Sequence, residues 1–149
     1  MLNPDYQDIL SAFNEEKVEY LLVGAYALAV HGLPRATGDI DLWVKRSLEN
    51  AGRIMRALAL FGAPLATVQE QDFVTPELVF QIGVVPKRID LLTSISGVAF
   101  DEAWPEREEI EIEAIRIPVI SRQHLIQNKR ATGRPKDETD ARWLEENGS

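Results

Sequence analysis

Apolar positions along the chain switch repeatedly between a period near 3.6 and a period of 2, the mark of helices and strands interleaved in one fold. From Pro4 to Lys17, Ile9, Leu10 and Phe13 sit among acids and amides at the spacing of an amphipathic helix. Tyr20-Leu21-Leu22-Val23 is a short apolar run stopping at Gly24, and good helix formers continue from Ala25 to Val30 until His31-Gly32 and Pro34. This pattern predicts strand, tight turn and short helix, with the His31 imidazole capping free carbonyls at the helix end.

Next, Ile40, Leu42 and Val44 alternate with Asp39, Asp41 and Trp43, so this strand has one apolar face and one face bearing two carboxylates. Ser47 fits an N-cap, with Asn50 at the reciprocal position, and helical spacing continues from Ala51 to Phe61 until Gly62-Ala63-Pro64. Leu78 to Val85 and Arg88 to Leu92 predict two strands joined through Pro86-Lys87, a gap short enough to require a hairpin. Glu109 to Ile120 alternates charged and apolar residues as a strand or hairpin at one edge. Two helices follow Ser121, His124 to Ala131 and Lys136 to Glu146, separated by Thr132-Gly133-Arg134-Pro135.

Composition narrows what such a domain can be. The 149 residues suffice for one core, and the absence of cysteine excludes both a disulfide framework and a zinc-thiolate site, which makes a cytoplasmic setting the expectation. The N-terminus lacks the basic and apolar regions of a signal peptide, and no apolar stretch is long enough to span a bilayer, so no membrane contact is expected. A net charge of −8 argues against broad binding to duplex nucleic acid, while a small anion held by metal remains compatible. There is no Gly-x-x-x-x-Gly-Lys-Ser/Thr loop, no His-Glu-x-x-His and no Gly-x-Gly-x-x-Gly.

The chemistry concentrates on three aspartates. Asp39 and Asp41, two apart on a strand, project side by side roughly 6–7 Å apart and repel unless something positive lies between them. Magnesium suits that place, being usually held by one or two carboxylates together with phosphates and water. Asp90, on another predicted strand, could complete a two-metal site for in-line phosphoryl displacement. The same residues allow simpler readings: an exposed face paired with arginines for Asp39 and Asp41, and an in-strand ion pair with Arg88 for Asp90. Gly24 lets phosphate oxygens approach the backbone at the strand-to-helix turn, beside Ala25. Arg35 and Thr37 precede the Asp-Ile-Asp strand and could reach phosphate or shape the loop. Lys129, Arg130, Arg134 and Lys136 form the basic cluster of an acidic chain, and either neutralise a triphosphate, line an acceptor groove or solvate a helix face.

In this order the residues resemble the DNA polymerase β-like nucleotidyltransferase superfamily, whose signature is an apolar residue, Gly, then Gly or Ser, a spacer, and Asp-apolar-Asp. Here it reads Val23-Gly24-Ala25, thirteen residues, then Asp39-Ile40-Asp41-Leu42. The stretch from Val23 to Gly32 and from Arg35 to Asp41 is similar to the minimal single-domain bacterial and archaeal branch. Lys87-Arg88-Ile89-Asp90-Leu91-Leu92 matches that branch's third-carboxylate strand, and similarity continues into Lys129, Arg134, Lys136, Asp137 and Asp140. Ala25 departs from the pattern, removing a side-chain hydrogen bond to phosphate.

The resemblance implies a single α/β (α+β) domain over residues 1–149, with a mixed, mostly antiparallel sheet of about five strands backed by helices on one side. It implies that Asp39, Asp41 and Asp90 bind Mg²⁺ or Mn²⁺, two ions, and that Asp90 also helps activate the acceptor hydroxyl. Gly24, Ala25, Arg35, Thr37 and Lys129 are then the nucleotide-binding residues, with ATP among the candidate donors. The implied reaction moves a nucleoside monophosphate from a triphosphate to a hydroxyl of a protein, an RNA such as tRNA, or a small molecule, and small members of that branch often work in toxin-antitoxin pairs. The alternatives are a regulatory module of the same fold that performs no chemistry, and a structural subunit supplying only an interaction surface.

Overall fold

The computed structural model describes residues 2–35, 38–84 and 86–148. Helix α1 (Pro4–Glu15) starts where the Asn3 side chain accepts the Asp5 N–H at 2.8 Å, with Pro4 in the first turn, where a missing N–H leaves nothing unpaired. Strand β1 (Tyr20–Val23) is buried throughout and passes directly into helix α2 (Gly24–Val30). Strand β2 (Ile40–Val44) leads to helix α3 (Leu48–Phe61), which begins with the Ser47 hydroxyl accepting the Asn50 N–H at 3.1 Å and ends at a left-handed Gly62.

Strands β3 (Val79–Ile82) and β4 (Ile89–Leu92) pair antiparallel, as do β5 (Glu108–Ile112) and β6 (Ile115–Val119). The short helix α4 (Phe100–Ala103) lies between these pairs, and α5 (Arg122–Ala131) and α6 (Pro135–Glu146) pack on each other after them. The sheet has six strands in the order β3-β4-β2-β1-β6-β5. That is one more than expected, because the 109–120 segment folds as a full hairpin turning through Glu113 and Ala114, both at positive φ, the geometry of the primed turns that match strand twist. Pairing is mixed: β1–β2, β3–β4 and β5–β6 are antiparallel, β1–β6 and β2–β4 parallel.

Helices α1 and α3 pack together, contributing Ile9, Leu10 and Phe13 from one and Ile54, Ala57 and Leu58 from the other to the buried core. One buried polar residue ties this layer to the sheet. Asn50 accepts the Glu19 N–H at 2.8 Å and donates to the carbonyls of Glu19 at 3.0 Å and Lys45 at 2.9 Å, so its amide is satisfied where β1 begins and β2 ends. Among the described residues no helix is long and apolar enough to cross a membrane.

Candidate active site

The parallel pairing of β2 with β4 sets Ile40 opposite Ile89, Asp41 opposite Asp90 and Leu42 opposite Leu91. Ile40, Leu42, Ile89 and Leu91 are buried in the core, which pins the intervening residues to the other face. Asp39 and Arg88 stand just ahead of the two strands, bound together where the Ile40 N–H donates to the Arg88 carbonyl at 3.0 Å. Two segments, Asp39-Ile40-Asp41 and Arg88-Ile89-Asp90, therefore lie side by side with their charged groups on one sheet face.

Arg88 organises that face. Its Nε donates to Asp90 Oδ1 at 2.8 Å and its Nη2 to Asp90 Oδ2 at 3.1 Å, while Nη2 also reaches Asp39 Oδ2 at 3.2 Å. The in-strand ion pair thus forms, and it extends to Asp39. Asp41 is left to face its neighbours: burial pushes its pKa up to about 6, the charges of Asp90 and Asp39 add to the rise, Arg88 opposes it, and a hydrogen bond to Asp90 favours the protonated form.

Gly24 is shaped for this neighbour. A Cβ there would fall 2.1 Å from Asp41 Oδ2, and its φ of 70° is itself a left-handed conformation that side-chain-bearing residues avoid. The carboxylate of Asp41 therefore packs directly against the backbone of the β1–α2 turn. A cleft of about 590 Å³ opens here, lined by Gly24, Ala25 and Asp41 on one side and by Asn128, Lys129 and Arg134 on another. The sheet face is thus walled by residues of the α5–α6 pair.

Lys129 is largely buried and ion-paired to Asp137 at 3.2 Å and Asp140 at 3.7 Å. Burial pushes the Asp137 carboxyl up, but the Thr132 hydroxyl at 2.7 Å, Lys129 and Arg134 outweigh it and hold the pKa below the ordinary value. Arg35 pairs with Asp140, and an adjoining cleft of about 450 Å³ is lined by Ala25, Arg35, Lys129, Arg134, Lys136 and Asp137. Arg130 points elsewhere, to Glu138 and Glu145. Thr37 lies outside the described residues. His31 is buried, its Nε2 2.8 Å from the Ile120 carbonyl, so it bridges to the end of β6 and does not cap its own helix through the ring. Trp43, two residues beyond Asp41 on the same face, packs edge-on against Phe100 at 5.1 Å, and Trp104 stacks on Phe100 at 5.4 Å, which places both in packing roles. Tyr6 was not visible as a site residue in the sequence: its hydroxyl donates to the Arg88 carbonyl at 3.2 Å, and burial, then Tyr26 and the three aspartates, push its pKa up to about 12. On sequence it is one apolar position of a helix.

As the side chains stand, no group of three or more His, Asp or Glu among the described residues is disposed around a metal. Arg88 stands among these carboxylates, donating to both oxygens of Asp90 and reaching Asp39. Asp41 and Asp90 still meet across a hydrogen bond, and with Asp41 lining the cleft the two adjacent carboxylates are a donor set that a hard divalent cation accepts. The residues fit such an ion.

No protein-family model matches the sequence, and no curated protein matches it. Among solved structures, a Thermotoga maritima protein provisionally assigned as a nucleotidyltransferase is similar over 98% of this chain and 96% of its own, with 23% identity and a TM-score of 0.63. ANT(2″)-Ia, an aminoglycoside nucleotidyltransferase solved with adenylyl-2″-tobramycin, is similar over 93% of this chain and 84% of its own, with 17% identity and a TM-score of 0.56. The mixed six-stranded sheet and its helices thus share the nucleotidyltransferase-like fold of these two structures.

Proposed function

We propose that the protein is a metal-dependent nucleotidyltransferase. The observation that carries this reading is the register of β2 against β4, which brings Asp41 and Asp90 together on the face where Asp39 also stands, directly against the Gly24 backbone. Asp39, Asp41 and Asp90 would hold Mg²⁺ or Mn²⁺, two ions in the full reading. Bound there, the metal supplies Lewis-acid stabilisation of charge on the phosphoryl oxygens.

The chain's own groups do the rest. The Gly24-Ala25 backbone admits phosphate oxygens where a side chain would collide, and Lys129, Arg134 and Arg35 offset the charge of a triphosphate such as ATP along the α5–α6 wall. Asp90 accepts the proton of the attacking hydroxyl, which displaces pyrophosphate from the α-phosphorus. The acceptor is a hydroxyl of a protein, a tRNA or a small molecule, and a toxin-antitoxin pair is the setting we carry forward from the sequence, in the cytoplasm.

The test is thermal stability with Mg²⁺ or Mn²⁺ and each ribonucleoside triphosphate, for wild type and Asp41→Asn. A ligand at about 100 times its dissociation constant adds roughly 2.7 kcal/mol to the folded state. A metal-dependent shift with one triphosphate, lost in the variant, supports the reading. No shift with any of them removes it in favour of a regulatory or structural module.

A further inference from the structure

We propose that Arg88 is an internal latch on the metal site: its guanidinium holds Asp39 and Asp90 in place of a divalent cation and must leave Asp90 for the site to load. This inference rests on the nucleotidyltransferase reading and concerns how that site is kept closed.

The geometry is specific. A fork of two N–H groups covers both oxygens of Asp90, and the same Nη2 reaches Asp39, so one side chain neutralises two of the three carboxylates. The fork takes a lone pair on each oxygen of Asp90 and places a fixed positive charge beside it, against which a metal cation must compete. Asp90 itself is held in the sheet opposite Asp41 and Gln81 and is 7% exposed, so it has little room to turn away. Arg88 does have room: it sits before β4, with 28% of its side chain exposed, on a long flexible stem. Its backbone is the fixed part, since its carbonyl takes both the Ile40 N–H and the Tyr6 hydroxyl. The guanidinium can therefore swing while its anchor stays.

A displaced guanidinium needs a new anion, and the ligand that arrives with the metal is a polyanion. The latch consequently couples the two: metal alone meets a competing cation, whereas metal with triphosphate brings the phosphate oxygens that receive Arg88. A ligand that removes a competitor raises the affinity for the next one.

Mn²⁺ binding, read from the EPR signal of free Mn²⁺, tests this in wild type, Arg88→Met and Arg88→Lys, each with and without α,β-methylene-ATP. Removing the competing charge should raise affinity for Mn²⁺ alone by about tenfold in Arg88→Met, and shrink the enhancement that the nucleotide analogue gives. Arg88→Lys, which keeps charge but loses the fork, should fall between, and it decides the matter if the Met variant does not fold. If wild type takes up Mn²⁺ with the analogue, yet neither variant binds Mn²⁺ alone more tightly, the latch is wrong and the transferase reading stands. If none of the three binds Mn²⁺ under either condition, the transferase reading falls and the latch with it.

Discussion

Gly24 and Asp41 touch: the carboxylate oxygen of Asp41 lies 2.1 Å from where a glycine side chain would begin. The turn between β1 and α2 and the acidic face of β2 are thus one surface, and a residue with no Cβ is what lets them close. In Gly24→Ala the new methyl must displace Asp41 while also holding a left-handed backbone at φ 70°. That strain costs about 1–2 kcal/mol, and the displaced carboxylate abolishes any metal-dependent nucleotide shift. Melting curves with and without Mn²⁺ and triphosphate check both parts. A variant that still binds would show that the close contact is incidental.

Asp41→Asn should be more stable than wild type at neutral pH. An unfolded Asp titrates near 3.8 and folded Asp41 near 6, so the folded state holds this proton more tightly. The stability contributed by that proton is complete below about 3.8 and is lost as pH rises through about 6. Asparagine remains neutral and keeps a donor toward Asp90. With allowance for coupling to Asp90, the gain at pH 7.5 is on the order of 1–2 kcal/mol, roughly 2–8 °C in melting temperature. The difference between the two proteins should vanish toward pH 4. An equal difference at both pH values would mean that Asp41 is not strained as described.

Lys129 and Arg134 face the same cleft but differ in burial. Lys129→Met strands Asp137 and Asp140, both buried, and should cost about 1–3 kcal/mol because Arg35, Thr132 and Arg134 still satisfy part of each carboxylate. Arg134, with 76% of its side chain exposed, should change stability by less than about 0.5 kcal/mol when replaced by alanine, yet weaken nucleotide binding. Ligand-induced shifts separate the cases. An unchanged shift in Arg134→Ala would remove this wall from the phosphate site.

Asn50→Ala should lower stability by about 1–3 kcal/mol, since it leaves the part-buried Glu19 N–H and Lys45 carbonyl without the amide, while the Glu19 carbonyl keeps the Lys45 N–H at 3.1 Å. Nucleotide affinity of the surviving folded protein should not change. Urea unfolding reports the first and calorimetric titration the second. A midpoint equal to wild type would mean that water replaces the amide.

Local geometry is written in local sequence, which is why much of this molecule can be read without coordinates. Alternation of Ile40, Leu42 and Val44 with Asp39 and Asp41 fixes which side of a strand carries charge, and Ser47 before an apolar periodic run places a helix start, because both depend on neighbours two to four residues away. What no local pattern contains is which strand lies next to which. That Asp90 faces Asp41 follows from β4 docking parallel to β2, a pairing stabilised by burial of Ile40, Leu42, Ile89 and Leu91 across a sequence separation of 49. Likewise, Lys129 reads as one of four surface-like basic residues until α6 brings Asp137 and Asp140 against it, and Tyr6 as an ordinary core position until its hydroxyl meets the Arg88 carbonyl. Ion pairs and hydrogen bonds between distant segments depend on where the buried apolar faces lock together, and only the packed chain decides that.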